Sequence, residues 1–248
     1  METVLFLVAA LSSAVLFWQR FQSVLRCVLG SKPDPGFRLA PLGPRVRKFV
    51  LEVLCQAKVI RHRLWAGIAH ALVFWGFCAF ALVTLNHLAQ GVGAGFLDLH
   101  EGLFGRAYGM AAALFAVAVS VSIAGLAIRR FVVRPRWLGE KISLESGVIA
   151  LLILLLMLTY LADYFGRPAA GSTAERAIWW AHTLALFIFL PLIPQTKHLH
   201  LMLSPVAVFL TREPLGQLPP LEGEEDFGLV SGKDVTRRMA LQAFSCVE

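Results

Sequence analysis

Five stretches of this chain, sixteen to twenty-five residues long, contain no Asp, Glu, Lys or Arg: Thr3–Trp18, Leu64–Leu88, Ala107–Ile128, Ser146–Ala162 and Ala177–Pro194. Roughly 20 apolar residues in a helix cross the ~30 Å hydrocarbon core of a bilayer. A backbone there must satisfy its own hydrogen bonds, so a run of this kind is a helix. The expected fold is therefore all-α, an integral membrane bundle of five transmembrane helices. Composition agrees, with 57% hydrophobic and 16% charged residues and a mean hydropathy of +0.68. The first run has no basic segment before it, only Met1-Glu2-Thr3-Val4, so it reads as a retained helix rather than a signal peptide.

The charges set the topology. Of 23 Lys and Arg, ten lie between Arg20 and Arg63, five between Arg129 and Lys141 and five from Lys197 onward, leaving Arg106, Arg167 and Arg176 for the other two connections. The positive-inside rule then puts the N-terminus outside and the C-terminus in the cytoplasm, which needs an odd number of spans. The expected location is the cytoplasmic (inner) membrane, multi-pass. The excess of +7 is spent on orientation, and no polar basic domain is left for nucleic acid. Cys27, Cys55, Cys78 and Cys246 are scattered without a CxxC, so these residues by themselves build neither a disulfide framework nor a complete metal site.

The expected organisation is a membrane domain over 1–210, an acidic and proline-containing linker over 211–232, and a helical end segment over 233–248. Within the first cytoplasmic connection, Val46, Phe49, Val50, Val53, Leu54, Ala57 and Ile60 follow helical periodicity, which predicts an interfacial or partner-docking helix over 46–60. In the end segment Val235, Met239 and Ala243 would share one side of a helix.

Ionisable side chains inside a membrane are costly and mark function, which turns attention to His62, His70, His87, His100, His182, His198 and His200. Two neutral imidazoles from facing helices are what a membrane b-type haem requires. In an uninterrupted helix His182 and His200 would lie about 27 Å apart on one face, and His70 and His87 about 25 Å apart and about 100° out of line. Spans two and five are antiparallel, so His70 meets His200 toward the cytoplasm and His87 meets His182 toward the outside. His198, about 200° from His200 around a helix, is a neighbour rather than a second ligand. His62, between Arg61 and Arg63, suits a headgroup contact. His100 suits an interfacial role, a quinone contact or a substitute ligand. The alternative for each buried histidine is a satisfied core residue.

The stretch Ala181-His182-Thr183 with Pro194, Lys197 and His200, followed by Leu203-Ser204-Pro205, resembles the fifth helix of the nitrate reductase gamma-subunit-like cytochromes b. Arg61 to Phe77, with His70, is similar to their second helix. The resemblance implies haem ligation by His70, His182 and His200. The family's remaining ligand falls at Phe80 here, and His87 replaces it on grounds of depth. The branch closest in pattern is fused to a heterodisulfide-reductase-like iron–sulfur protein, whose first cluster motif begins with a segment like Ala243-Phe244-Ser245-Cys246-Val247-Glu248. This implies that 233–248 begins a cytoplasmic iron–sulfur domain or docks a partner carrying one, with Cys246 a [4Fe–4S] ligand only if the chain continues. The implied activity is electron transfer through one or two haems b between membrane quinone and a cytoplasmic iron–sulfur oxidoreductase. Asn86, His87, Asp98 and His100 on the outer side, or Lys197 and His198 on the inner, are positioned for quinone. The rivals are a haem-free anchor for a redox partner and a small transporter. The transporter predicts intramembrane carboxylates or broken helices in related halves.

Overall fold

The computed structural model describes residues 1–34, 37–135, 144–211 and 231–246. Their regular elements are all helical: α1 (Glu2–Gly30), α2 (Leu42–Phe49, continued by a π-helical turn Val50–Leu54), α3 (Ala57–His62), α4 (Leu64–Ala79), α5 (Ala81–Gly91), α6 (Gly102–Ile128, continued by a π-helical turn Arg129–Val133), α7 (Leu144–Gly166), α8 (Thr173–Gln195), α9 (His200–Phe209) and α10 (Arg237–Ser245). Four of these are long and apolar enough to cross a membrane, namely α1, α6 with its π-turn, α7 and α8, and the pair α4–α5 makes a fifth if read as one bent span. Leu114, Val121 and Leu151 are about two-thirds exposed, as expected of side chains that meet lipid rather than water. Most of the 211–232 linker, residues 212–230, lies outside the described residues.

Contacts divide the chain into two compact units, Met1–Ala14 with Val59–Leu190, and Val15–Lys58 with Pro191–Glu248. In the first, α6 packs along both α4 and α7. Its buried positions include Gly105, Gly109, Ala112, Ala113 and Ala116, small residues that let backbones approach where no hydrophobic effect drives helix association. Gly76 on α4 is the counterpart: a Cβ there would run into the Val119 side chain. Ser13 donates to the Phe187 carbonyl at 2.7 Å, tying the start of α1 to α8.

The second predicted span is broken. Between Ala79 and Ala81 the axis turns by 42°, although neither Pro nor Gly sits there. The Tyr108 hydroxyl, from α6, donates to the Ala79 carbonyl, and a side chain inserted into a helical ladder is a recognised cause of a kink. Tyr108→Phe leaves that carbonyl without its phenolic donor. The expected result is a loss of about 1 kcal/mol, read as a lower unfolding midpoint of the detergent-solubilised protein; an unchanged midpoint contradicts it.

In the second unit the predicted helix over 46–60 is also interrupted. The π-turn ends at Leu54, and Gln56 adopts a left-handed φ of 52° before α3 starts. Its apolar residues divide: Val53 is buried and Phe49 meets Phe209 of α9 edge-on, with ring centres 6.3 Å apart, while Val46, Val50 and Leu54 stay exposed. The buried Arg45 guanidinium donates to the carbonyls of Arg38, Leu39, Phe209 and Thr211, which fixes α2 beside the end of α9. On α10 the buried side chains are Ala240 and Leu241, while Met239 and Ala243, expected on one side of the helix, are both exposed.

Candidate functional site

The kink redirects α5, so His87 is not placed by counting along a straight span. It comes instead to the wall of a cavity of about 700 Å³ in the first unit. This is the size of a small-molecule or cofactor pocket. α5 supplies Asn86 and His87, the following loop Asp98 and His100, α7 Thr159, Tyr160, Asp163 and Tyr164, and α8 Trp179 and His182, with Arg167 and Glu175 also lining it. Three of the seven histidines thus converge, and His70 on α4 is not among the lining residues.

The hydrogen-bond network assigns the tautomers. Thr159 donates its hydroxyl proton to the carbonyls of Leu155 and Leu156, at 2.7 and 3.1 Å. Its oxygen, 2.8 Å from His182 Nδ1, therefore accepts the Nδ1–H. His182 is neutral with the lone pair on Nε2, and at 8% exposure it is buried. Anchoring one imidazole nitrogen to an oxygen while the other keeps its lone pair is the usual arrangement behind a metal-ligating histidine. His87 is set the opposite way. Thr183 Oγ1 lies 2.8 Å from the Trp179 carbonyl and 2.8 Å from His87 Nε2, which it engages. The His87 ring stacks on Trp179 with centres 5.0 Å apart, and its centre lies 4.8 Å from that of His182.

His100 is held by its backbone, whose N–H donates to Asp98 Oδ1 at 2.7 Å, and by Tyr164, whose ring lies 4.9 Å away and nearly parallel. Its Nδ1 is buried and has no hydrogen-bond partner among the described residues.

Asn86 is not available to a ligand. Its amide donates to the Leu97 carbonyl at 2.8 Å, and its oxygen accepts from the N–H groups of Phe96 and Leu97 at 2.9 and 2.8 Å. All three bonds pin the loop that carries His100. Asn86→Ala is expected to destabilise that loop by about 1–3 kcal/mol through the stranded backbone groups, seen as faster amide exchange over residues 95–100; unchanged exchange contradicts it.

In the second unit, α8 does not run through to His200. Helix α8, which includes Pro191 and Pro194, ends at Gln195, and Thr196 is extended before a short 3-10 turn, Lys197–Leu199. The eighteen-residue, same-face reckoning from His182 therefore does not apply. His200 opens α9, and its Nδ1 donates to the Lys197 carbonyl at 2.7 Å. The His198 ring centre is 6.0 Å from that of His200. His62 ends α3, and Cys246, just after α10, is exposed. Among the described residues no group of three or more His, Cys, Asp or Glu side chains is arranged to hold a metal ion, which leaves an iron held by paired imidazoles untouched. The sequence reading missed Thr159 and Thr183. Thr159 had a signal, as a lone hydroxyl closing the run Leu151–Leu158, and Thr183 adjoins His182.

The site belongs to a polytopic helical membrane protein with an imidazole-lined cavity. The chain is 25% identical, over its whole length, to "Probable iron-sulfur-binding oxidoreductase FadF" of Bacillus subtilis (strain 168), and 23% identical over 83% of its length to "EtfAB:quinone oxidoreductase" of Syntrophomonas wolfei. It spans 39% and 34% of the lengths of these two relatives. No protein-family model matches the chain, and no solved structure does. The relatives are oxidoreductases, one iron–sulfur-binding and one quinone-linked by name; they carry the link to iron–sulfur oxidoreductases but not the likeness to nitrate reductase gamma subunits.

Proposed function

We propose that the chain is a membrane electron-transfer module that passes electrons between membrane quinone and a cytoplasmic iron–sulfur oxidoreductase, using b-type haem held by histidines. The observation that carries this is His182: a buried neutral imidazole on a cofactor-sized cavity, with Nδ1–H fixed by Thr159 and the lone pair on Nε2. His200 repeats the pattern on the Lys197 carbonyl. We assign His182 as a ligand on the outer side, with His87 or His100 as its partner, and keep His70 and His200 as the further ligands that the resemblance implies. These residues fit imidazole ligation at His182 and His200. His87 does not fit as placed, because its ring centre lies only 4.8 Å from that of His182. Bound there, haem would supply one-electron chemistry that the polypeptide lacks.

The protein's own part is to hold the imidazoles, exclude water and present polar groups at the hydrocarbon edge. Asp98, Asp163, Arg167 and Glu175 would give a quinone at the rim of the cavity hydrogen-bond partners, with the carboxyl groups passing protons to it on reduction and taking them on quinol oxidation. The charge distribution supports an N-terminus outside, a C-terminus inside and the cytoplasmic membrane as location. The relatives' names support an iron–sulfur and quinone-linked setting; the resemblance adds a cytoplasmic partner of the heterodisulfide-reductase-like kind, with Cys246 a [4Fe–4S] ligand if the chain continues.

An optical spectrum of the protein, gently solubilised from iron-replete cells, tests the reading. Reduced b-haem bands that quinol elicits are expected. A colourless protein overturns it and favours the haem-free anchor.

A further inference from the structure

We propose that His100, rather than His87, is the imidazole that pairs with His182 as the second axial ligand in the cavity between α5, α7 and α8. The proposal rests on the haem reading above and names one ligand within it. Two imidazole nitrogens on opposite sides of one metal, each about 2 Å from it, leave ring centres roughly 6 Å apart once the rings themselves are added. His87 and His182 are closer than that, at 4.8 Å and steeply inclined. The Nε2 of His87 is engaged by Thr183, so only its Nδ1 is open to a ligand. Stacked on Trp179, His87 is built as part of the wall.

His100 has the opposite character. It lines the same cavity as His182, from the loop between α5 and α6, and its buried Nδ1 has no hydrogen-bond partner among the described residues. Such a group normally costs stability, and a ligand that engages the ring removes that cost. The side chain is nonetheless held for a task. Asp98 fixes its backbone, Tyr164 lies flat against its ring, and Asn86 clamps the loop at Phe96 and Leu97. A first shell supported in this way is what a binding constellation needs.

The test uses the full chain in detergent, with haem counted per chain by the pyridine haemochrome method, spin state read by electron paramagnetic resonance and potentials by redox titration. In His100→Ala one haem is expected to be lost or to pass from low to high spin, and added imidazole to restore the low-spin signal. In His100→Met that haem keeps two ligands, and its potential rises, as histidine–methionine ligation does. His87→Ala should keep the wild-type count and spin state. The haem assigned to His200 reports in every variant that the protein has folded. Retention of both low-spin haems in His100→Ala, or loss of one in His87→Ala, overturns the proposal while leaving the electron-carrier reading intact. A wild-type protein without haem overturns both.

Discussion

In His182→Ala, one haem per chain is expected to disappear and quinol-driven reduction to fail, while the protein still folds. The two halves of this expectation have separate causes. The functional half follows from removing the one lone-pair nitrogen that Thr159 orients at the cavity. The structural half follows from what is left behind: the Thr159 hydroxyl keeps its donation to the Leu155 and Leu156 carbonyls, so no buried donor is orphaned, and the vacated space joins an existing cavity. Thr159→Val separates orientation from ligation. The imidazole remains, with the Leu156 backbone still a hydrogen-bond partner but without the Thr159 oxygen, and loss of such a supporting partner typically costs about 10–100-fold in metal affinity or activity. Titration of the apoprotein with haem should show weaker binding in Thr159→Val and one site fewer in His182→Ala. Equal affinity and stoichiometry in all three proteins would remove His182 from the ligand set.

Hydropathy and charge made the spanning helices legible because lipid imposes length and composition on a helix directly. α1, α6, α7 and α8 emerge at the predicted runs for that reason. The breaks were hidden because they are tertiary. Phe80 has no breaker character, and the turn beside it coincides with a phenol contributed by α6, 28 residues later. Gln56 takes a left-handed conformation that its residue type does not advertise. Pro191 and Pro194 were visible warnings ahead of Thr196, yet the length of apolar sequence outweighed them. For the candidate site, depth counting expected His87 and His182 at one level, and the bent span brings their ring centres to 4.8 Å. What it could not show was hydrogen-bond commitment. Whether an imidazole is a ligand or a wall depends on Thr159, Thr183 and Trp179, and their contacts exist only after the helices have packed.

Asp34→Ala is expected to release α10 from the second unit. Asp34 lies at the start of the first connection, where Lys32 and Thr236 form an isolated parallel bridge. Its carboxylate accepts from Thr236 Oγ1 at 2.7 Å and from Arg238 through Nε and the backbone N–H, at 2.9 and 3.1 Å. The Arg238 guanidinium also lies over the Phe37 ring, 4.9 Å from its centre. Both members of the Asp34–Arg238 pair are largely buried, with side chains 9% and 15% exposed, so removing one strands the other's charge. Breaking such a pair costs about 3 kcal/mol, or on the order of 100-fold faster exchange of the α10 amides if they open locally. Burial pushes the Asp34 carboxyl up, but the bonds from Thr236 and Arg238 outweigh it and hold the group below its usual range. A carboxyl depressed in the folded state stabilises above its unfolded pKa of about 3.9 and loses that contribution as pH falls through the folded value. Docking of α10 should therefore be insensitive to pH between 5 and 8 and weaken only in stronger acid, and Asp34→Asn should remove the acid step. Hydrogen exchange over residues 237–245 measures both effects. Wild-type protection retained in Asp34→Ala would mean that Ala240, Leu241 and the Ser204–Ser245 hydrogen bond hold the helix without the carboxylate.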